Sequence, residues 1–229
     1  MSDIAIVVFP GSNCDRDAMY AFSHLLQRKT VFHWYDEPLK KETKLVVLPG
    51  GFSYGDYLRA GAIARFSSAI GSLPEYLDGG GKVLGICNGF QILVEANLLP
   101  GLLLKNASLK FQCQSVFVRL ETTDTPFLQG GQIGDIYQMP IAHSEGRYVV
   151  SENNKTEFIN SHQIVLKYCD AEGVVSDDTN ANGSELSIAG VVNKQGNVFG
   201  LMPHPERACE KLVGSDDGLR FLKMIHRAL

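Results

Sequence analysis

Cysteine is scarce in this chain and follows no pattern. The 229 residues contain five (Cys14, Cys87, Cys113, Cys169 and Cys209), with no C-x-x-C pair, which argues against a structural zinc site and against a disulfide framework. Long apolar runs are missing too: the sequence has no uninterrupted apolar stretch of the about 18 residues that a membrane-spanning helix needs. The apolar part of the N-terminal MSDIAIVVFPGSN is short and has no basic leader, so no secretory signal is expected. Basic clusters are absent and the net charge is −4, so no nucleic acid and no membrane surface is expected as a partner. No Pro/Gly/Ser-rich linker, repeat or low-complexity tract breaks the chain, which predicts a single domain over residues 1–229. Five reduced thiols in the cytoplasm follow from the missing export signal. Three Asn-x-Ser/Thr tripeptides, Asn106-Ala107-Ser108 among them, fit a glycosylation pattern that carries no meaning without export.

What is present is an ordinary globular composition, 45% apolar and 20% charged, with enough apolar residues for a sizeable core. Asp3–Phe9, Thr30–Tyr35, Lys44–Leu48 and Lys82–Ile86 are short runs rich in apolar and β-branched residues, and read as strands. Between them, Ala18, Ala21, Phe22 and Leu25 fall at helical spacing, and the spacing predicts helices over about 58–70 and 88–96. This alternation argues for an α/β fold, an open mostly parallel sheet with helices on both faces. The second half is richer in strands (Phe111–Leu120, Gln163–Tyr168, Leu186–Val192, Val198–Met202) and closes on a predicted helix over about 216–228.

One cysteine stands out by its place. Gly85-Ile86-Cys87-Asn88-Gly89 is G-x-C-x-G where a buried strand gives way to a helix, the setting of a nucleophile elbow with cysteine in place of serine. A sharp strand-to-helix turn strains the nucleophile's backbone, and small residues two positions to either side relieve the crowding. A helix N-terminus favours a thiolate, and the freed Asn88 amide can face an oxyanion. With five cysteines and 23 glycines in random order, about 0.05 such matches are expected, so the motif is suggestive; a packing turn with an incidental thiol is the competing reading.

A nucleophilic thiol needs a base, and the base needs an orienting group. Of six histidines, His24, His33 and His226 lie in predicted helices or a strand and read as packing or surface residues. His204 opens the turn Pro203-His204-Pro205-Glu206-Arg207 at another strand end. Pro205 biases it toward extended backbone, where residues i and i+2 share a side, so Glu206 can fix its tautomer. Leu48-Pro49-Gly50-Gly51-Phe52 marks a third strand end, where glycines allow close backbone approach. In a parallel sheet such carboxyl ends meet along one edge, where ligands bind.

These stretches resemble the class I (triad-type) glutamine amidotransferases of the flavodoxin-like fold, and within them the glutaminase subunits of phosphoribosylformylglycinamidine synthases. The resemblance is carried by FPGSNCDRD (9–17), PGGFSYGDYLRAGAIAR (49–65), LGICNGFQ (84–91), AHSEGRY (142–148), NGS (182–184) with IAGVVN (188–193), and LMPHPER (201–207), in the family's order over nearly the whole chain. It implies that Cys87 attacks the side-chain amide of L-glutamine to form a γ-glutamyl thioester and release ammonia. His204 would move protons and Glu206 would orient it; Gly51 and Asn88 would hold the oxyanion; Gly50, Gln91 and His143 would line the glutamine site. Glu145 and Arg147 are further glutamine-site or interface candidates. The implied partners are a large synthetase subunit of phosphoribosylformylglycinamidine synthase, which uses ATP and Mg to convert formylglycinamide ribonucleotide to the amidine, and a small accessory subunit. No cofactor is expected in this chain. The nearest approach to a P-loop, Tyr76 to Val83, lacks the first glycine and the Ser/Thr after lysine. The chain departs from the family pattern at Ser144, where the family carries glycine, and at Ala181, where it carries proline.

Two other readings share the residues. A stand-alone cysteine hydrolase acting on γ-glutamyl amides would keep the triad and drop the partner, but has no evident need for PGGFSYGDYLRAG. A non-catalytic α/β module would leave Cys87, His204 and Glu206 without a use.

Overall fold

The computed structural model describes residues 2–227, without the side chains of residues 152–154 and 157. Its first strands are β1 (Ile4–Val8), β2 (Thr30–Trp34), β3 (Leu45–Leu48) and β4 (Lys82–Ile86). They are followed by β5 (Leu102–Leu104), β6 (Gln112–Leu120), β7 (Ile136–His143) and β8 (Arg147–Val149). The last three are β9 (Ile164–Cys169), β10 (Ile188–Val192) and β11 (Val198–Leu201). The main sheet runs β2-β1-β3-β4-β11-β10-β9-β6-β7, and β5 pairs with β8 apart from it. From β2 to β11 every neighbour is parallel; from β11 to β7 the pairing is antiparallel. The parallel half is made of continuous apolar runs such as IAIVV and LVVL, as strands covered on both faces require.

The helices are α1 (Asp15–Met19, continued by a π-turn over Tyr20–Leu25), α2 (Ser68–Gly71), α3 (Leu73–Asp78), α4 (Asn88–Glu95), α5 (Glu152–Asn160) and α6 (Asp217–Arg227). Two neighbouring residues of β11 show that they cover both faces. Phe199 meets Phe221 of α6 at 6.1 Å between ring centroids. Gly200 points the other way, and a Cβ there would collide with Phe90 of α4; successive strand residues face opposite sides. The helix predicted over 216–228 is α6, whose last expected residue, Ala228, lies outside the described residues. Among the described residues no helix is long and apolar enough to cross a membrane.

The helix expected over 58–70 is not formed. Within it Leu58 and Gly61 take positive φ (71° and 80°), as do Tyr54, Gly55 and Asp56 just before it, and the segment folds as successive turns, a 3-10 turn at Ala64–Phe66 and then α2. Left-handed backbone at that frequency breaks any i to i−4 ladder. β10 likewise starts two residues later than expected, because Leu186 and Ser187 also have positive φ (52° and 56°).

Candidate active site

Three adjacent parallel strands end at the same edge. β4 lies between β3 and β11, with Leu48 opposite Gly85 and Leu201 opposite Ile86. The residues that follow are Gly50-Gly51 after β3, Cys87 after β4 and His204 after β11, so the three sequence segments meet as the parallel order requires.

Cys87 is the hinge between β4 and α4. Its backbone is at φ 50°, ψ −103°, a strained state for a non-glycine residue, and its amide donates to the Leu201 carbonyl at 2.8 Å. The flanking glycines make the turn possible: a Cβ on Gly85 would lie 2.7 Å from the Gly89 backbone, and one on Gly89 would run into the Leu48 carbonyl. The thiol points toward the Ala142 carbonyl, 3.7 Å away.

His204 and Glu206 are joined. The Glu206 Oε1 carboxylate oxygen accepts from His204 Nδ1 at 2.6 Å, and both side chains are buried. Burial pushes the His204 imidazolium down, but the charges of Glu206 and Cys87 outweigh it and hold its pKa well above the ordinary histidine range. The loop itself is fixed by the His204 amide donating to the Pro140 carbonyl at 2.8 Å and by Arg207 bonding Asp17 of α1 at 2.9 Å.

The Gly50-Gly51 turn rests in a cradle made by residues 10–14. The Asn13 and Cys14 amides donate to the Gly50 carbonyl (3.4 and 3.2 Å), and the Phe52 amide donates to Gly11 (3.0 Å). Gly51, at φ +148°, bridges Ser12. A Cβ on Gly51 would lie 2.8 Å from the Gly11 carbonyl oxygen, and one on Gly50 would lie 2.6 Å from His204 Cε1. Both positions therefore need glycine for space, and Gly51 also needs it for its φ.

Asn88 and Gln91 are tied into a web of side-chain amides. Asn88 Oδ1 accepts from the Ser53 amide (3.0 Å), and its Nδ2 donates to Gln91 Oε1 (2.9 Å) and toward Asp56 (3.3 Å). Gln91 Nε2 donates to the Glu145 carbonyl at 2.5 Å. Both ends of the Gln91 amide are thus engaged, and it fastens α4 to the loop after β7. Burial and the Glu145 charge push Asp56 up to about 6.

His143, at the end of β7, is buried with Nδ1 on Asn106 Oδ1 (3.1 Å), while its Nε2 has no partner among the described residues. Burial, and next the charge of His204, push it down to about 4. Glu145 Oε2 accepts from the Ala60 amide at 3.2 Å, and the buried Arg147 Nε has no partner among the described residues.

Two residues escaped the sequence reading. Asn106 is fully buried and uses its side chain to hold the His143 and Lys110 carbonyls, His143 Nδ1 and the Gly146 amide. Its only sequence signal was a glycosylation tripeptide, a role its burial excludes. Cys14 is the other: its thiol is buried beside His204, and nothing in FPGSNCDRD marks it as a neighbour of a residue 190 positions away.

A family model for the CobB/CobQ-like glutamine amidotransferase domain matches residues 1–218. The chain belongs to this family. Glutamine amidotransferase relatives named phosphoribosylformylglycinamidine synthase subunit PurQ are similar over almost their whole length. That of Pseudothermotoga lettingae is 51% identical over 223 residues, 96% of this chain and 93% of its own. That of Thermomicrobium roseum is 50% identical over 221 residues, 96% and 94%. Among solved structures, a chain of PurLQS from Thermotoga maritima matches with a TM-score of 0.84 and 43% identity over 98% of both chains. A glutamine amidotransferase fold is the fold described above, with the Cys87 turn and the His204 loop at its sheet edge.

Proposed function

We propose that this chain is the glutaminase subunit of a phosphoribosylformylglycinamidine synthase, acting as one domain in the cytoplasm, where its five free cysteines stay reduced. The observation that carries the reading is the strained Cys87 at the strand end, beside a buried His204–Glu206 pair joined at 2.6 Å. The near full-length similarity to PurQ subunits supplies the substrate and the acceptor.

The Cys87 thiol passes its proton to His204 as its sulfur attacks the carboxamide carbon of L-glutamine. Negative charge that develops on the amide oxygen is met by the Gly51 and Asn88 backbone amides. His204, held charged by its carboxylate neighbour, gives its proton to the leaving nitrogen, and ammonia departs. Water, deprotonated by the now neutral His204, then cleaves the γ-glutamyl thioester to glutamate and frees Cys87. Gly50 and His143 lie against this centre, His143 with an unused Nε2. Gln91 acts by keeping the loop of Glu145 against α4. Ammonia passes to a separate large synthetase subunit that uses ATP and Mg, with a small accessory subunit completing the assembly; no cofactor is assigned to this chain.

Ammonia release from glutamine by the purified chain, wild type beside Cys87→Ala, with and without the synthetase, tests the reading. Activity that rises with the synthetase and falls more than about a thousandfold in Cys87→Ala is expected. Full activity that ignores the synthetase would assign a stand-alone hydrolase, and activity that survives Cys87→Ala would remove the nucleophile.

A further inference from the structure

The His204–Glu206 pair has a third neighbour that the glutaminase chemistry does not use. Cys14 sits at the start of α1, and its Sγ, one ring nitrogen of His204 and one carboxylate oxygen of Glu206 lie within 4.8 Å of one another. All three residues are buried, Cys14 and His204 to 2% exposure and Glu206 to 4%. Two polar atoms of the group, His204 Nε2 and Glu206 Oε2, have no hydrogen-bond partner among the described residues. Gly50 lets the thiol and the ring approach: a Cβ there would lie 2.6 Å from His204 Cε1 and 3.0 Å from Cys14 Sγ.

From this cluster we infer that Cys14, His204 and Glu206 form a binding site for a thiophilic divalent cation of the zinc class, and that the bound ion switches the glutaminase off. One sulfur, one imidazole nitrogen and one carboxylate oxygen are a donor set that suits zinc and cadmium and disfavours magnesium or calcium. On a tetrahedral zinc ion, with bonds of about 2.0–2.3 Å, such ligand atoms stand about 3.2–3.8 Å apart. A separation at the 4.8 Å limit therefore has to close by roughly 1–1.6 Å, and the His204 Nδ1–Glu206 Oε1 pair at 2.6 Å has to open to admit the ion, both by side-chain rotation. Coordination releases the Cys14 thiol proton and one ring proton of the His204 imidazolium to the buffer and oxidises nothing. It occupies a His204 nitrogen and a Glu206 oxygen, so the pair can no longer take up or deliver a proton. The loss of activity rests on the glutaminase reading above; the binding does not.

The test is therefore divided. Cadmium alone is titrated into the full chain carrying Cys113→Ser, which removes the exposed thiol, and Cys87→Ala, which removes the nucleophile. One equivalent bound, with an ultraviolet cadmium–thiolate band, is expected. Cys14→Ser in that background abolishes the band, and Glu206→Gln, which keeps every thiol, weakens binding by at least about tenfold. A band that survives Cys14→Ser, an affinity unmoved by Glu206→Gln, or no band in the parent overturns the site. In the chain with Cys87 intact, zinc inhibits glutamine hydrolysis reversibly with respect to a chelator, and Cys14→Ser raises the half-inhibiting concentration by at least about tenfold. Equal inhibition of both chains would put the ion on Cys87 and overturn the switch.

Discussion

Burial and the adjacent His204 charge push the His143 imidazole down to about 4 from its ordinary 6.5, so folding holds this histidine neutral where the unfolded chain would charge it. A base whose folded pKa is lowered takes up fewer protons in the native state, so its stabilising effect is fully present above pH 6.5 and is lost as pH falls from 6.5 toward 4. Between pH 7.5 and pH 5 this one group should cost about 2 kcal/mol. Denaturant unfolding at the two pH values should show that loss in wild type and a reduced loss in His143→Gln. An equal loss in both would place the acid sensitivity elsewhere. At this scale the sequence was legible wherever chemistry is written locally. Cys87 lies between glycines at a strand end, and His204 and Glu206 lie two positions apart around a proline. It was not legible where the partner is distant: Asn106 under His143, Gln91 under Glu145 and Cys14 beside His204 are contacts made by the sheet order, and no spacing along the chain encodes them.

Elements are pinned to one another by a few close approaches, and α4 is the clearest case. It leaves Cys87 so near β3 that a Cβ on Gly89 would enter the Leu48 carbonyl, an atom of the backbone that cannot rotate away. Gly89→Ala should therefore destabilise the fold by about 3 kcal/mol or prevent folding. Gly71→Ala, at the end of α2 where a Cβ would meet nothing within 4 Å, should be neutral or stabilising by up to about 1 kcal/mol. Thermal melts of the two variants check the pair, and a mild Gly89→Ala would mean that α4 can slide along β3. The strands of the parallel half were readable because burial on both faces leaves plain apolar runs. β7, which carries Pro140 within it, was not among the expected strands. The structure puts β7 at the end of the sheet, and an edge strand tolerates a proline. The 58–70 segment misled in the opposite sense: its apolar spacing is helical, but its left-handed residues serve the loop over the active site instead.

That loop also links the site to the outside of the molecule. Its inner atoms hold Asn88: the Ser53 amide donates to Asn88 Oδ1, and Asp56 accepts from Asn88 Nδ2. Its outer face carries Tyr57 and Leu58, 76% and 90% exposed, while Tyr54, Asp56 and Leu58 hold left-handed backbone at a cost of about 1 kcal/mol or more each. A strained segment with large apolar side chains facing outward and Asn88 held beneath it is suited to be set by a docked partner, because contact free energy outside can offset strain that positions atoms inside. The free chain should then hydrolyse glutamine at least about tenfold more slowly than the chain bound to the synthetase. Leu58→Asp should keep the slow rate of the free chain and lose most of the stimulation. Both are read by ammonia release across a synthetase titration, which separates weaker docking (a shifted midpoint) from failed coupling (a lower plateau). If Leu58→Asp reached the wild-type plateau at the wild-type midpoint, activation would have to enter through another face, and the loop's strain would serve the shape of the glutamine site alone.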